Sequence, residues 1–285
     1  MRALADLHVH SDRSDGLQSP KELVRLAEKK GLGGLALTDH DTLDGIPEFL
    51  ATPTTSDIVL VPGVEVSTEY LGKEVHILGY FVPYGESPIE ERLRVNRESR
   101  RTRFPKMVKK LRDMGIEIDE NEVQRIIREV ESPGRPHLAR ILIEMGVVSD
   151  INEAFKKYLA TGKPAYVRRD KIDIEEGIRL LRKSGAVPVL AHPLLSENMD
   201  MREFIQTLKQ YGIEGVEVEY GYRKQELLDQ IEEIREITAN LGLIATGGSD
   251  FHGDDGHFEL GSVVTSIETI DNLRMMAEHF RKNDQ

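Results

Sequence analysis

Apolar and polar positions over the first 84 residues alternate between short strand-like runs and helix-like stretches. Residues 3–10 predict a strand, and Ser19-Pro20-Lys21-Glu22 predicts a helix start, with Ser19 as N-cap and Glu22 completing a capping box. Gly31 is the expected C-cap of that helix. Further strands are predicted over residues 34–38, 58–66 and 74–81. Repeated strand–helix units of this kind favour a parallel sheet.

The pattern changes after the fourth strand. Residues 85–164 are charged and helical in pattern, with a run of arginines between positions 92 and 103. We expect them to form a helical insertion that divides a barrel domain into residues 1–84 and 165–285. Alternation then returns, with strands predicted over residues 187–191, 215–220 and 243–246 and helices over 174–183, 202–211 and 224–241.

Candidate metal ligands lie in or directly after the predicted strands. His8 and His10 are two residues apart and project from the same face of a strand. Glu65 lies in an apolar strand, where a charged side chain needs a partner. The other candidates are Asp15, His40, His76, His192, Asp250 and His252. Imidazole and carboxylate are the usual ligands of catalytic divalent metals, so the set predicts a polynuclear metal site.

Each of these residues has a structural alternative when taken alone. Asp15 is typical of a turn, and His76 of a buried strand position. Ligands after so many strands converge more easily in a closed barrel than in an open doubly wound sheet, which is the weaker alternative. Together, the nine residues favour a metal site at the carboxyl ends of the barrel strands.

Composition narrows the classes of function. The 285 residues carry a formal net charge of −12, which argues against binding to duplex nucleic acid or to anionic membranes. The absence of cysteine excludes disulfides, thiolate metal sites and cysteine nucleophiles. No apolar stretch is long enough to span a bilayer and no signal peptide is recognisable, so we expect a cytoplasmic protein.

The motifs in combination resemble the PHP family, named for polymerases and histidinol phosphatases. They are Asp6-Leu7-His8-Val9-His10-Ser11, Thr38-Asp39-His40-Asp41, Gly63-Val64-Glu65, the later His76, Ala191-His192-Pro193 and Gly248-Ser249-Asp250-Phe251-His252. They follow the family order and span almost the whole chain. The resemblance implies an α/β fold, a distorted (β/α)7 TIM-like barrel, with a trinuclear metal site.

The resemblance also implies how the ligands are shared among three divalent ions. One ion is expected at His8, His10, Glu65 and Asp250, a second at Glu65, His76 and His192, and a third at Asp15, His40 and His252. Glu65, His192 and Asp250 are the candidate catalytic residues. Manganese is the first expectation, and zinc or iron would also suit these mixed nitrogen and oxygen ligands.

The insertion resembles the family branch that removes the 3′-phosphate of nucleotides or trims short oligoribonucleotides from the 5′ end. Its Gly134-Arg135-Pro136-His137 motif fits that branch. Arg135 is expected to hold a phosphate, with a surface ion pair as the alternative. His137 is a candidate phosphate contact or general acid, or else a helix-packing residue. Arg168 and Arg169 are weaker phosphate candidates, and His257 and His279 are expected on the surface.

The sequence therefore predicts a phosphoesterase in which a metal-bridging hydroxide attacks phosphorus. The expected substrate is a nucleotide or short oligoribonucleotide, with no duplex nucleic acid and no membrane as partner. The alternatives are a histidinol-phosphate phosphatase, a metal-dependent amidohydrolase, and a metal-stabilised binding module without turnover. The base, the chain length and the choice between monoester and diester stay open at this point.

Overall fold

The computed structural model describes residues 4–169, 171–195, 199–254 and 257–283, and a nine-stranded sheet lies at its centre. The strands are β1 (Leu4–Asp6), β2 (Gly34–Leu37), β3 (Val59–Tyr70), β4 (Lys73–Tyr80), β5 (Ile172–Asp173), β6 (Val187–Leu190), β7 (Gly215–Tyr220), β8 (Ile244–Gly248) and β9 (Thr265–Ser266).

The helices cover the sheet or form the segment between β4 and β5. They are α1 (Pro20–Lys30), α2 (Ile46–Ala51), α3 (Pro88–Asp113), α4 (Glu120–Glu129), α5 (Arg135–Glu144), α6 (Ile151–Ala154), α7 (Ile174–Lys183), α8 (Met201–Tyr211), α9 (Gln225–Leu228), α10 (Ile231–Asn240) and α11 (Ile267–Asn283). A π-helical turn over Phe155–Leu159 continues α6. No helix within the described ranges is long and apolar enough to cross a membrane.

The sheet curls into a nearly closed barrel, which confirms the predicted α/β barrel fold. Its strands follow the order β8-β7-β6-β4-β3-β2-β1-β9, with β5 paired to β3. The backbone N–H of Leu7 donates to the carbonyl of Gly247 at 3.2 Å, which brings the β1 end of the sheet to β8. At this seam, a Cβ atom on Gly248 would collide with His8, so the close approach requires glycine.

Two strands depart from the expected parallel arrangement. The short β9 runs antiparallel to β1, and β4 runs antiparallel to both β3 and β6. For β4, the cause is the tight turn between β3 and β4, where Leu71 and Gly72 both have positive φ, at 50° and 77°. Two such residues form a hairpin connection, and a hairpin joins antiparallel strands.

Local signals in the sequence are confirmed at α1 and α7 but not everywhere. Ser19 and Glu22 form the capping box of α1, and Gly31 ends the helix with a φ of 81°. The strand predicted over residues 3–10 ends at Asp6, and residue 3 lies outside the described ranges. Beyond Asp6 the backbone bonds alternate between the two sides: Leu7 N donates to Gly247 O, and Val9 O accepts from Thr38 N just after β2. The single helix predicted over residues 224–241 is wrong: the chain forms two helices, α9 with no fully buried residue and α10 with Ile234 and Ile237 in the core.

The helical segment, residues 88–159, has an apolar cluster of its own. Phe104, Met107 and Leu111 of α3 pack there with Leu138 and Leu142 of α5. The first turns of α3 belong instead to the core of the barrel, where Ile89 and Leu93 are buried. Because α3 has 26 residues, it is about 39 Å long and contributes to both cores.

Asp41 connects α3 to the barrel. Its buried carboxylate accepts hydrogen bonds from Ser67 N at 2.9 Å, Asn96 Nδ2 at 3.0 Å and Arg100 Nε at 2.8 Å. Burial alone would raise the pKa of Asp41, but the charges of Arg100 and Arg169 hold it well below its usual range. The junction between barrel and helical segment therefore depends on a buried ion pair.

We predict that Asp41→Asn lowers the free energy of unfolding by about 3 kcal/mol, because it removes the carboxylate charge in direct contact with the buried Arg100. Denaturant unfolding of the metal-free protein measures the change. Asp44→Asn, three residues further along and exposed, is the matched control and should unfold like the wild type. Equal stability of the two variants would contradict a role for Asp41 as the connecting residue.

Candidate metal centre

The predicted ligands meet at one end of the barrel because each comes from the end of a strand or the loop after it. His8 and His10 follow β1, His40 follows β2 and His192 follows β6. Asp250 and His252 follow β8, while Asp15 lies in the loop before α1 and Glu65 and His76 lie within β3 and β4. All nine residues contribute to a single cluster of contacts.

The first group comprises His8, His10, Glu65 and Asp250, whose ligand atoms lie within 4.8 Å of one another. The Nε2 atoms of His8 and His10 are 3.1 Å apart. His10 Nε2 is 3.1 Å from Asp250 Oδ1, and His8 Nε2 is 3.4 Å from Glu65 Oε2. Ligand atoms around a tetrahedral ion with bonds of about 2.1 Å are separated by roughly 3.4 Å, so this spacing suits one metal.

Glu65 joins this group to a second one. Its Oε1 is 2.8 Å from His76 Nδ1 and 2.9 Å from His192 Nε2. Its Oε2, which faces His8 and His10, is also 2.9 Å from His40 Nδ1. Each carboxylate oxygen therefore faces a different set of imidazoles, as the position of a bridging ligand requires.

The third group surrounds Asp15. Its Oδ1 is 3.2 Å from His252 Nε2 and 3.7 Å from His10 Nδ1, and its Oδ2 is 3.8 Å from His40 Nε2. His10 and His40 each present their second nitrogen here. The predicted trio of Asp15, His40 and His252 is brought together, with His10 as an additional neighbour.

Buried polar atoms without partners test whether these residues fit a metal. Among the described residues, no partner with good hydrogen-bond geometry is found for five buried atoms: His10 Nδ1, Asp15 Oδ1, His40 Nδ1, Glu65 Oε2 and His76 Nε2. Such atoms are costly to bury unless something else satisfies them. A carboxylate oxygen, or an imidazole nitrogen that has lost its proton, offers a lone pair to a cation, so the residues present fit divalent metal ions.

The charges in the cluster are mutually dependent. Burial alone would lower the pKa of His10, but hydrogen bonds to Asp250 and Glu65 raise it to about 10. In the same way, Glu65 overcomes burial and raises the pKa of His76 to about 9. Burial and the neighbouring His10 lower the pKa of His252 to about 4. The carboxylates thus hold protons on imidazoles that a metal would displace.

Glu217 contacts the predicted ligands and was not predicted from the sequence. Its Oε1 is 2.9 Å from His8 Nδ1, and its Oε2 accepts a hydrogen bond from His192 N at 2.8 Å. A carboxylate on Nδ1 fixes the tautomer of His8 and leaves Nε2 free for a metal. The available signal was a glutamate between Val216 and Val218 in an apolar strand, the same signal that identified Glu65.

Two of the predicted ligands have strained backbone. His192 and Asp250 have positive φ angles of 27° and 53°, which non-glycine residues rarely adopt. Tyr220 supports Asp250 by donating its hydroxyl to Oδ2 at 2.9 Å. Strain of this kind persists only where surrounding contacts enforce it, and both residues lie at the centre of the cluster.

The predicted substrate-binding residues have different locations. Arg135 lines the cavity above the ligands, donates to Glu74 at 2.9 Å and lies over the ring of Phe155. His137 is not part of the cavity wall: its Nδ1 accepts from Gly134 N at the start of α5, and burial lowers its pKa to about 4. Arg168 is exposed and pairs with Glu69.

The cavity has a volume of roughly 310 Å³ and contains further residues that the sequence analysis did not single out. Arg100 and Arg103 of α3 line it beside Arg135. The expectation that His257 lies on the surface is wrong. His257 is partly buried in the cavity wall: its ring centre lies 3.8 Å from that of His252, and its Nδ1 lies 2.7 Å from Asp254 Oδ1. His279 is exposed, as expected.

Comparison with known proteins gives matches along nearly the whole chain. A family model described as the PHP domain matches residues 6–131. A 5'-3' exoribonuclease of Haemophilus influenzae is 34% identical over 269 residues, covering 93% of this chain and 96% of the relative. A 3',5'-nucleoside bisphosphate phosphatase of Chromobacterium violaceum is 34% identical over 265 residues, covering 89% and 91%. A solved structure described as a metal-dependent phosphoesterase of Bifidobacterium adolescentis superimposes with a TM-score of 0.87 at 28% identity, covering 95% and 96%.

We predict that Glu65→Ala lowers the bound metal content by at least one ion per chain and abolishes turnover, because Glu65 faces two ligand groups. Elemental analysis after dialysis against manganese measures the content. Glu69→Ala, four residues along the same strand and outside the cluster, is the matched control. Full metal content and activity in Glu65→Ala would show that Glu65 is not a bridging ligand.

Proposed function

The chain belongs to the PHP family and is a metal-dependent hydrolase of phosphate esters, and we propose that its substrates are nucleotides with two phosphates. The substrate class comprises 3′,5′-bisphosphonucleotides and the 5′ ends of short oligoribonucleotides. The two relatives named above support this class by their names. In both kinds of substrate, a single nucleoside is flanked by a 5′-phosphate and a 3′-phosphoryl group.

The observation that carries the proposal is an excess of buried positive charge beside the metal centre. We call it the basic cluster, and it comprises Arg100, Arg103, Arg135, Arg169 and Lys171. Among the described residues, the carboxylates that form ion pairs with these cations are Asp41 and Glu74. Within that part of the chain, the cluster therefore has more cations than paired carboxylates.

The guanidinium groups at the back of the cluster are poorly satisfied. None of the three guanidinium nitrogens of Arg169 makes a hydrogen bond, although its side chain is only 1% exposed. Burial and the neighbouring Arg169 and Arg100 lower the pKa of Arg103 to about 8. Burial and Arg100 lower that of Arg169 to about 10. An anion in the cavity would stabilise these cations, and a second phosphate is such an anion.

The positive charge of the basic cluster argues against histidinol phosphate as the substrate. That substrate carries an amine, which is a cation at neutral pH, and like charges in a partly buried cavity repel each other. A neutral cyclic amide, the substrate class of the amidohydrolase alternative, would leave the arginines without a countercharge. A nucleotide with two phosphates satisfies both the metal centre and the basic cluster.

The contacts indicate which residues would hold the metal ions and which would orient the phosphate groups. Bound divalent ions, three in our proposal and manganese by first choice, would supply Lewis acidity and lower the pKa of water. Arg135 and Arg103 would orient the phosphate groups, and the nine predicted ligands would hold the ions: His8, His10, Asp15, His40, Glu65, His76, His192, Asp250 and His252. Glu217 and Tyr220 keep His8 and Asp250 in position.

We also propose that residues 85–164 form a substrate-covering insertion in a barrel of residues 1–84 and 165–285. The separate apolar cluster of the helical segment supports this division. Arg103, Arg135 and Phe155 extend from that segment into the cavity wall. The insertion would therefore supply substrate contacts, and the barrel the metal ligands.

A substrate panel with manganese tests the proposal. We expect hydrolysis of adenosine 3′,5′-bisphosphate and of a 5′-phosphorylated di- to pentanucleotide, and much slower hydrolysis of histidinol phosphate and of a dihydropyrimidine amide. Release of phosphate or mononucleotide is measured as kcat/KM. Preference for histidinol phosphate or for the amide would overturn the nucleotide assignment.

We predict that Arg103→Met and Arg135→Ala each reduce kcat/KM for the bisphosphate by about 10- to 150-fold, corresponding to the loss of a charge-assisted contact of about 1.5–3 kcal/mol. A simple phosphate monoester should be affected much less, because it carries no second phosphate. Arg101→Met on the same helix, where Arg101 pairs with Glu131, is the matched control. Unchanged kcat/KM values for both substrates would show that these arginines do not bind a phosphate group.

A further inference from the structure

A second cavity of roughly 320 Å³ opens directly beside the metal centre, and we call it the side groove. Leu195, Tyr220 and His257 line both the side groove and the metal-centre cavity, so the two spaces are contiguous. None of the residues of the basic cluster lines the side groove. It is therefore a distinct space that a ligand at the metals could enter.

The walls of the side groove present aromatic and aliphatic surface. The ring of Phe258 packs so closely on Gly221 that any side chain at this glycine would collide with it. Tyr220 and Phe258 are half-buried, and Leu195 is 49% exposed at the boundary with the metal centre. Tyr222 is buried behind Tyr220, with the two ring centres 4.8 Å apart. Aromatic faces of this kind stack on nucleobases with little regard to base identity.

Two adjacent cations complete the side groove. The guanidinium of Arg223 lies 5.2 Å from the centre of the Phe258 ring, and Lys224 is exposed beside it. Positive charge next to an aromatic surface is the combination that binds single-stranded nucleic acid. It is present here although the whole protein carries a formal charge of −12.

Tyr220 determines how the two spaces are connected. Its hydroxyl donates to the predicted metal ligand Asp250, while its ring faces both the metal centre and the side groove. A phosphate at the metals would thus have one substituent directed along Tyr220. In an oligonucleotide, this substituent is the next nucleotide. A bisphosphonucleotide has no such group, because its 3′-phosphate is a terminal monoester.

We propose that the side groove binds the nucleotide on the 3′ side of the scissile phosphate, the second nucleotide of a 5′-phosphorylated oligoribonucleotide. This inference rests on the proposed function. In both reactions water adds to phosphorus, the P–O3′ bond breaks and the 3′ oxygen leaves with a proton. A bisphosphonucleotide then releases inorganic phosphate, and an oligonucleotide releases a chain that keeps the phosphate on its 5′ oxygen. The groove holds that chain.

The test compares two substrates in the manganese-loaded enzyme, adenosine 3′,5′-bisphosphate and 5′-phosphorylated diadenosine. Phe258→Ala and Lys224→Glu should each lower kcat/KM for the dinucleotide about tenfold and leave kcat/KM for the bisphosphate unchanged. Lys21→Glu, at an exposed position of α1 far from the groove in sequence, is the matched charge control and should change neither value.

The outcomes separate this inference from the function on which it rests. If the wild type hydrolyses neither substrate, the proposed function fails. If the wild type hydrolyses the bisphosphate but not the dinucleotide, the side groove does not bind the second nucleotide. The same conclusion follows if both variants lose activity equally on the two substrates, or if neither substrate is affected by the substitutions. A selective loss on the dinucleotide in both variants supports the assignment.

Discussion

The carboxylate of Glu65 is the constraint on which the functional end of the molecule depends. Histidines from the ends of several strands converge on its two oxygens. In a chain with fewer charges nearby, burying a glutamate that is 1% exposed would be prohibitive. Here the cost is offset only if imidazolium groups or metal ions surround it. Closure of the barrel brings these groups together, and Gly248 permits it by allowing β8 to approach His8.

Much of the metal centre could be predicted because its polar residues interrupt runs of apolar residues in the strands. A charged or imidazole side chain at the end of an apolar strand is conspicuous, and the ligand positions follow from strand ends that meet at one face of a barrel. Glu217 carried the same signal and could have been found. The antiparallel β4 could not be derived from strand periodicity, because a period of two is the same in either direction.

The substrate side was much harder to predict from the sequence. Arg100 and Arg103 lie three residues apart on α3, in a run of arginines of which several are exposed or ion-paired on the surface. Which of them line the cavity depends on how α3 is rotated against the barrel, and Asp41 fixes this rotation from a distant loop. His257 was missed for a similar reason, since its position depends on how a loop returns to the cluster.

The dual packing of α3 has a consequence for protein engineering. The helix belongs to the barrel core at Ile89 and Leu93 and to the helical core from Phe104 onward, with no loop between them. Arg140 of α5 adds a second attachment by donating to the carbonyl of Asp15 and to Asp254. The helical segment is therefore not a portable module. A chimera that exchanged this segment between relatives would have to transfer all of α3 together with the barrel residues that pack against its first turns. Otherwise the exchange would divide a continuous helix.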